Sequence, residues 1–303
     1  QLGRAMKLSG RGVMLSVVAS ILFVLFPGYV QMLAPLDGVQ VFAQRVLWSI
    51  PAVLLLVLLA RQWPVLLASL QRVAREPLLA LALPVSAALV GVQWALFVWA
   101  PLSGKVIDLS LGYFLLPLAM VLVGRVFYGE RLRPLQKLAV AMALLGVVHE
   151  LWMTQAFSWV TLLAALGYPP YFMLRRWMRV DALSGFTFEV LWMAPLAVWL
   201  IATRGPLDLF TQAPQLWWLL PGLGLLSALA FGAMMAASRL LPLGLFGILS
   251  YVEPVLLFAV AVVFLGEAFD MSQLWTYAPI WLAVVLIGID SGLMLHKQSR
   301  RGL

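Results

Sequence analysis

The sequence predicts an all-α integral membrane protein with ten transmembrane helices in two inverted five-helix repeats, and three observations predict it. Of its 303 residues, 64% are hydrophobic and 11% are charged, which is too apolar for a soluble globular domain. Ten apolar segments are long enough to cross a bilayer, which takes roughly 20 residues in a helix. A ten-residue motif in the second of these segments returns in the seventh.

The ten predicted spans are separated by short segments that contain Pro, Gly or charged residues. They cover residues 12–34, 39–60, 77–100, 106–127, 135–153, 157–174, 184–203, 215–237, 243–265 and 273–295. The N-terminal segment resembles the start of a signal peptide, because basic residues precede an apolar run. We expect the first span to be retained, since no convincing A-x-A cleavage site follows the run.

The Lys and Arg residues lie almost entirely at one set of span ends. This majority includes Arg175 and Arg176, whereas only Lys105 and Arg204 lie at the other set, and Arg45 lies inside a span. Cytoplasmic ends retain an excess of basic residues. The distribution therefore predicts a multi-pass membrane protein with both termini in the cytoplasm. The net charge of +8 follows from this topology, so the expected partner is the lipid bilayer and no nucleic acid is expected.

The repeated motif runs from Phe42 to Pro51 and again from Phe186 to Pro195, and its charged position changes from Arg to Glu. Other matches extend it: Phe26-Pro27-Gly28-Tyr29 with Tyr168-Pro169-Pro170-Tyr171, Pro101-Leu102 with Pro242-Leu243, and Tyr113, Pro117 and Gly129-Glu130 with Tyr251, Pro254 and Gly266-Glu267. Because each unit has five spans, an odd number, the two units must have opposite orientations. The predicted organisation is a cytoplasmic segment (1–11), a first repeat (12–153), a second, inverted repeat (154–295) and a cytoplasmic tail (296–303).

Inverted repeats are typical of secondary transporters, which bind substrate near the bilayer midplane and alternate between two open states. An enzyme is not expected, because Ser, His and acidic residues never occur at a recognisable catalytic spacing. The chain has no Cys and only two distant His, so no metal site or cofactor is expected. It also lacks a G-x-x-x-x-G-K phosphate loop, which indicates transport by a gradient or by exchange.

Residues 11–295 resemble the EamA family of the drug/metabolite transporter superfamily, and in particular its RarD-type subgroup. The motifs that carry this resemblance are Arg45-Val46-Leu47-Trp48, Gln93-Trp94, Leu111-Gly112-Tyr113-Phe114 with Pro117, and Gly129-Glu130-Arg131. The resemblance implies a secondary carrier that exports amino acids, nucleobases, drugs or amino-acid-derived metabolites such as opine-type metallophores. The sequence departs from the subgroup at Glu253, where a small residue is expected.

Arg45 and Glu189 are the two charged positions of the repeated motif. Each Cα is expected about 9 Å below the membrane surface at which its span begins. These two surfaces are opposite, so about 12 Å would separate the two Cα levels along the normal of a core of about 30 Å. A direct ion pair between them is therefore not expected, and both would face one cavity. Arg45 would bind a substrate carboxylate, and Glu189 would bind an amine or carry an exchanged proton. Alternatively both are structural: Arg45 snorkels to the headgroups and Glu189 caps a backbone break.

Glu253 is expected near the midplane, beside the helix distortion that Pro254 causes. It is a candidate for proton coupling, like Glu189, or for cation recognition; alternatively it is a structural acid bonded to a Tyr hydroxyl. Aromatic side chains with a polar tip are candidates to line the cavity, although most such residues only pack or lie at the interface. The predicted substrate-binding set is Arg45, Glu189, Glu253, Tyr113, Tyr251, Trp94, Gln93, Trp48 and Trp192.

These features predict an inner-membrane exporter of a small zwitterionic, amino-acid-like metabolite, which works by alternating access. The first alternative is a lipophilic drug exporter, which would have no need of Arg45. A membrane-embedded enzyme or an accessory subunit is the second alternative, and no motif supports it. Gly288 and Gly292, four residues apart in the last span, would permit a weak homodimer.

Overall fold

The computed structural model describes residues 8–155, 157–205, 208–263, 268 and 270–300, and within these residues it contains helices and no strands. The α-helices are α1 (Gly10–Val24), α2 (Phe26–Gln31), α3 (Gly38–Leu59), α4 (Trp63–Arg75), α5 (Pro77–Leu102), α6 (Val106–Tyr128), α7 (Pro134–Thr154), α8 (Trp159–Met178), α9 (Ala182–Arg204), α10 (Leu209–Gln212), α11 (Leu216–Leu240), α12 (Leu243–Leu249), α13 (Val252–Val263) and α14 (Leu274–Arg300). A short 3₁₀ helix, Met271–Gln273, precedes α14.

Nine membrane spans in the described ranges are long and apolar enough to cross a bilayer, which confirms the predicted all-α membrane fold. Helix α8 coincides with the sixth predicted span and has 20 residues, but it is not among the nine. Its Pro169-Pro170 pair and the adjacent Arg175 and Arg176 make this helix less apolar than the others. The tenth span therefore stays a prediction.

Two predicted spans are each divided between two helices near a proline. The first consists of α1 and α2, which meet at Leu25 just before Pro27. The ninth consists of α12 and α13, which are separated by Ser250 and Tyr251. Pro254 has no N–H to donate to the carbonyl of Ser250, which weakens the helix there. The equivalent Pro117 lies inside a continuous α6, so the proline permits the interruption but does not suffice for it. Glu253 consequently lies in the first turn of a new helix, where the N-terminal dipole favours a negative charge.

Helix α4 is an element that the sequence analysis did not predict. It lies between the second and third spans and has exposed apolar residues, Trp63, Leu67 and Leu70, together with Arg72 and Arg75. This composition is typical of a helix that lies in the plane of the membrane interface.

The helices pack in a pattern that is nearly unchanged when each predicted span is exchanged with the span five later. The corresponding helices α3 and α9, α6 and α12, and α7 and α14 pack against one another. The pair α1–α11 has its counterpart in α5–α8, and the pair α3–α11 has its counterpart in α5–α9. A duplicated chain produces this pattern, because equivalent surfaces then form equivalent contacts.

Polar contacts between helices join span ends that the distribution of basic residues predicts to lie on the same side of the membrane. At one end Gln40 donates to the carbonyl of Arg204, with Nε2 and O 3.0 Å apart. At the other end Arg133 pairs with Asp290, and the Nη1 of Arg72 lies 3.1 Å from the carbonyl oxygen of Arg179. The packing therefore agrees with the predicted alternation of the spans.

The first Gly-Glu motif has a clear structural role at the second of these ends. Gly129 ends α6 with a left-handed φ of 63°, a conformation that glycine adopts without steric cost. The Glu130 carboxylate then accepts hydrogen bonds from the backbone N–H groups of Leu243 (2.7 Å) and Gly244 (2.8 Å), at the start of α12. Glu130 thus joins the fourth and ninth spans. The second motif, Gly266-Glu267, lies outside the described residues.

Candidate functional site

Arg45 lies at the centre of the candidate site and is buried, with 8% of its surface exposed. Its Nε donates to the Oγ of Ser227 at 2.7 Å. The guanidinium carbon lies 3.8 Å from the ring centroid of Trp94 and 4.7 Å from that of Phe26. Arg45 therefore points into an aromatic pocket and not towards the headgroups, so snorkelling does not describe it.

The guanidinium of Arg45 has binding capacity to spare. Among the described residues no carboxylate forms an ion pair with it, and its two Nη groups have no hydrogen-bond partner. A guanidinium fixed through Nε and by stacking still presents its terminal N–H groups in a planar fork. This geometry suits a carboxylate, which accepts two parallel hydrogen bonds from such a fork.

The position of Arg45 follows from how α3 begins. Asp37 and Gln40 form a capping box, in which the Asp37 carboxylate accepts from the Gln40 N–H (2.8 Å) and the Gln40 amide oxygen accepts from the Asp37 N–H (2.9 Å). This cap fixes the start of the helix at Gly38, and Arg45 follows two turns later. Because Gln40 also bonds to α9, the rotation of α3 is set from outside the site.

Tyr113 on α6 and Tyr168 on α8 connect Arg45 with the second charged group. Both tyrosines are half-buried, and both lie within electrostatic range of Arg45 and of Glu253. Arg45 and Glu253 form no ion pair with each other. The site thus has a cation, an anion and two phenol groups, and its opposite charges are kept apart.

Glu253 is half-buried, and no side chain among the described residues forms a hydrogen bond or an ion pair with its carboxylate. The alternative of a structural acid bonded to a tyrosine is therefore not what the structure shows. Tyr251 is fully buried, and its hydroxyl donates to the carbonyl of Phe114 at 2.7 Å. Tyr251 thus joins α6 to the start of α13, and its place in the substrate-binding set stays a prediction.

Glu189 is fully buried within a network of three side chains. It accepts hydrogen bonds from Ser86 (3.0 Å) and Tyr171 (2.8 Å), and the Nε of Arg175 lies 3.5 Å from its Oε1. Arg175, which was counted among the basic span ends, is itself only 2% exposed. Glu189 therefore neither pairs with Arg45 nor caps a backbone break, and both of its carboxylate oxygens have side-chain partners in this conformation.

The remaining predicted residues have different surroundings. Trp94 is buried and forms the platform of Arg45. Neighbouring Gln93 donates to the carbonyl of Leu163 at 2.9 Å, while its amide oxygen is buried without a partner. Trp48 is half-buried and donates to Gln44 on its own helix. Trp192 is 56% exposed on the outer surface of α9, beside other exposed residues, which corrects its predicted place in the cavity.

Sequence reasoning missed Phe26, Tyr168 and Ser227 as parts of the Arg45 site. Phe26 and Tyr168 occupy the same position of the repeated four-residue motif, so the repeat contained a signal for both. Nothing in the sequence distinguishes Ser227 from other serines in the spans. In the described ranges no three His, Asp or Glu side chains come together as the ligands of a metal would.

The fold and the buried charges define a multi-pass membrane protein of the transporter class, and comparisons with known proteins support this. No family model matches the chain. A Pseudomonas aeruginosa protein named "Chloramphenicol-sensitive protein RarD" is 66% identical over 299 residues, which are 98% of this chain and 100% of that protein. The chain belongs to the RarD-type family of drug/metabolite transporters.

More distant relatives extend over the same length. "Protein RarD" of Escherichia coli K12 is 31% identical and covers 97% of this chain and 99% of its own. An "Uncharacterized transporter" of Haemophilus influenzae is 37% identical with the same two coverages. One crystal structure superimposes with a TM-score of 0.69 at 19% identity and covers 93% of this chain and 98% of its own, which shows a shared fold.

Proposed function

We propose that this transporter exports a small zwitterionic, amino-acid-like metabolite across the bacterial inner membrane by alternating access. The observation that carries the proposal is that Arg45 and Glu253 form no ion pair among the described residues and share Tyr113 and Tyr168 as neighbours. The substrate carboxylate would bind the guanidinium fork of Arg45, and its ammonium group would bind Glu253. The tyrosine hydroxyls would bind polar groups between the two ends. An amino acid or an opine-type metallophore has this chemistry.

The energetics of buried charge favour such a substrate. An ionised group in a membrane span costs roughly 2.5–3.5 kcal/mol on insertion scales. A chain that needed Arg45 only for stability would have paired it with an acid, as it pairs Arg175 with Glu189. A zwitterion neutralises both charges at once, whereas an anion or a cation neutralises only one. The arrangement therefore discriminates against ligands with a single charge.

The symmetry of the helix packing supports the rest of the mechanism. We infer that residues 12–153 and 154–295 are two copies of one unit, because exchanging corresponding helices preserves the contacts. The odd number of spans in each unit makes the copies inverted, and the distribution of basic residues puts both termini in the cytoplasm. Inverted repeats permit two open states of similar energy, since one state is the structural image of the other. Transport then follows without ATP hydrolysis.

We assign proton coupling to Glu253 and not to Glu189. The carboxylate of Glu253 is unpaired, so a proton can replace a substrate cation there without the loss of another bond. Glu189 would have to leave Ser86, Tyr171 and Arg175 first. Glu253, where the sequence departs from the subgroup pattern, is therefore the better candidate for proton coupling.

Export of lipophilic drugs is the second candidate, and the aromatic lining of the site favours it. The half-buried Tyr113 and Tyr168 offer ring surfaces to an uncharged aromatic ligand, and the rings of Phe26 and Trp94 would become available if the guanidinium of Arg45 moved. A transporter of this kind would not need the guanidinium. Arg45→Ala should then leave drug resistance unchanged, whereas it should abolish export of a zwitterion.

The proposed function is tested by comparing culture-medium metabolites of a deletion strain with those of the same strain carrying the gene on a plasmid. We expect one or a few amino-acid-like compounds to be lost from the medium of the deletion strain and to accumulate inside its cells. A strain carrying Arg45→Ala should behave like the deletion strain. Unchanged zwitterionic compounds, with altered efflux of lipophilic compounds only, would contradict the proposal.

A further inference from the structure

Arg45 and Glu189 occupy equivalent positions in the fold but are in opposite states. Each is the eighth residue of its helix, α3 and α9 respectively. Each bonds to a serine on the counterpart, in the other repeat, of the span that follows its own: Arg45 to Ser227 on α11, and Glu189 to Ser86 on α5. Arg45 has free hydrogen-bonding groups, whereas Glu189 has three side-chain partners. One half of the pseudo-symmetric pair is therefore available and the other is closed.

The closed half contains Arg175, and part of its guanidinium lacks hydrogen-bond acceptors among the described residues. The Nη2 of Arg175 donates to the carbonyl of Ala182 at 3.2 Å, but its buried Nε and Nη1 have no hydrogen-bond partner in the part of the chain that the structure describes. Its ion pair with Glu189 spans 3.5 Å, too long for a strong charge-assisted hydrogen bond. Gly185 leaves the room for the guanidinium, since a Cβ at this position would overlap its atoms.

This arrangement stabilises the closed conformation only weakly. Buried N–H groups without acceptors are costly, and water would satisfy them as soon as it reached them. The bonds from Ser86 and Tyr171 and the attraction of Arg175 for Glu189 oppose that opening. A pair that is closed but incompletely bonded is what a reversible barrier requires, because neither state is then greatly favoured.

We propose that Ser86, Tyr171, Arg175 and Glu189 form a latch that closes the end of the protein that is predicted to face the cytoplasm, here called the inner latch. The latch rests on the proposed alternating access: it parts when that end opens, and it reforms when the Arg45 half becomes accessible. Glu189 is a gating residue in this scheme, in place of the substrate-binding role that the sequence suggested. The equivalent positions of the two repeats thus have different tasks.

The absence of native cysteine makes the latch testable by thiol labelling. Ser86→Cys places a thiol beside Glu189, at a position with no exposed surface. The variant is labelled with a membrane-impermeant thiol reagent in inside-out membrane vesicles without substrate. Adding Glu189→Gln should raise the labelling rate on the order of tenfold, because loss of the ion pair favours the open state. Gly185→Ala should act in the same direction by displacing Arg175, without changing any charge.

Two controls separate a latch from general loosening. Asp290→Asn breaks the ion pair with Arg133 at the same end of the protein, between α7 and α14, and should leave labelling of Ser86→Cys unchanged. Ser49→Cys reports on a fully buried serine beside Arg45, and Glu189→Gln should not raise its labelling rate. An unchanged rate at position 86, or an equal rise at positions 86 and 49, would overturn the latch.

The labelling experiment is independent of the cargo, so the latch and the proposed function can fail separately. If the metabolite comparison gives no zwitterion but Glu189→Gln opens position 86 alone, the latch stands and the cargo assignment fails. If a zwitterion is exported normally by Glu189→Gln and position 86 stays protected, the latch fails and the cargo assignment stands.

Discussion

Replacement of Arg45 by Lys keeps the positive charge and removes the geometry that we hold responsible for carboxylate binding. The lysine ammonium cannot lie parallel to the rings of Trp94 and Phe26, which stack on the guanidinium at 3.8 and 4.7 Å. It also cannot donate to Ser227 and at the same time present two parallel N–H groups to a substrate. The change therefore isolates bidentate recognition from charge.

The expected loss can be worked out from these contacts. One of two charge-assisted hydrogen bonds to the substrate carboxylate disappears, which is worth about 1.5–3 kcal/mol. The stacked platform contributes up to about 2 kcal/mol when desolvated, but part of that attraction remains for an ammonium group. A net loss of about 2–3 kcal/mol corresponds to a roughly 30- to 150-fold weaker Kd.

The assay is equilibrium binding of the exported metabolite to purified protein in lipid nanodiscs. Arg75→Lys, on the exposed part of α4, is the matched control and should bind like the unmodified protein. A Kd within about threefold of the unmodified protein for Arg45→Lys, a difference of only about 0.7 kcal/mol, would refute bidentate recognition at Arg45.

Three further predictions concern other residues. Glu253→Gln should abolish the pH dependence of transport in proteoliposomes while the fold is kept, because the half-buried carboxylate has no structural partner; a retained pH dependence would place the coupling group elsewhere. Glu130→Ala should lower Tm, since the loss of two bonds to the start of α12 costs about 1–3 kcal/mol; an unchanged Tm would contradict this structural role of the Gly-Glu motif. Trp192→Ala should leave substrate affinity unchanged, because this side chain lies on the outer surface, and an affinity loss above tenfold would show that it reaches the site.

The fold was largely predictable because long apolar segments and the distribution of basic residues act over whole spans. A distortion near Pro254 was also predictable from its missing N–H, but the full interruption at Ser250 and Tyr251 was not, because the equivalent Pro117 lies inside a continuous α6. Helix α4 was not, because its exposed apolar face is too short and too mixed with charge to stand out in an apolar chain. Likewise, α14 extends to Arg300, past the predicted end at residue 295, because no Gly or Pro stops it.

The candidate site was only partly predictable, because side-chain partners depend on the rotation of each helix. Arg45, Trp94 and Tyr113 were identified from charge and motif, and the structure brings them together with Glu253. Glu189 has the same sequence context as Arg45, yet its surroundings differ because it pairs with Arg175. Arg175 lies near the end of a span, so from the sequence it was counted among the basic residues that set the topology. Trp192 was misplaced because it shares the broad face of Glu189 but lies about 60° further round the helix, where α9 is already exposed.

The central claim is that Arg45 and Glu253 divide the recognition of one zwitterion between them. It is tested most directly by measuring the Kd of the exported metabolite, of its carboxamide and of its N-acetyl derivative, against unmodified protein, Arg45→Lys and Glu253→Gln. Arg45→Lys should weaken binding of the metabolite and of its N-acetyl derivative, but not of the carboxamide. Glu253→Gln should weaken binding of the metabolite and of the carboxamide, but not of the N-acetyl derivative. Equal losses for all three ligands in either variant would contradict a divided site.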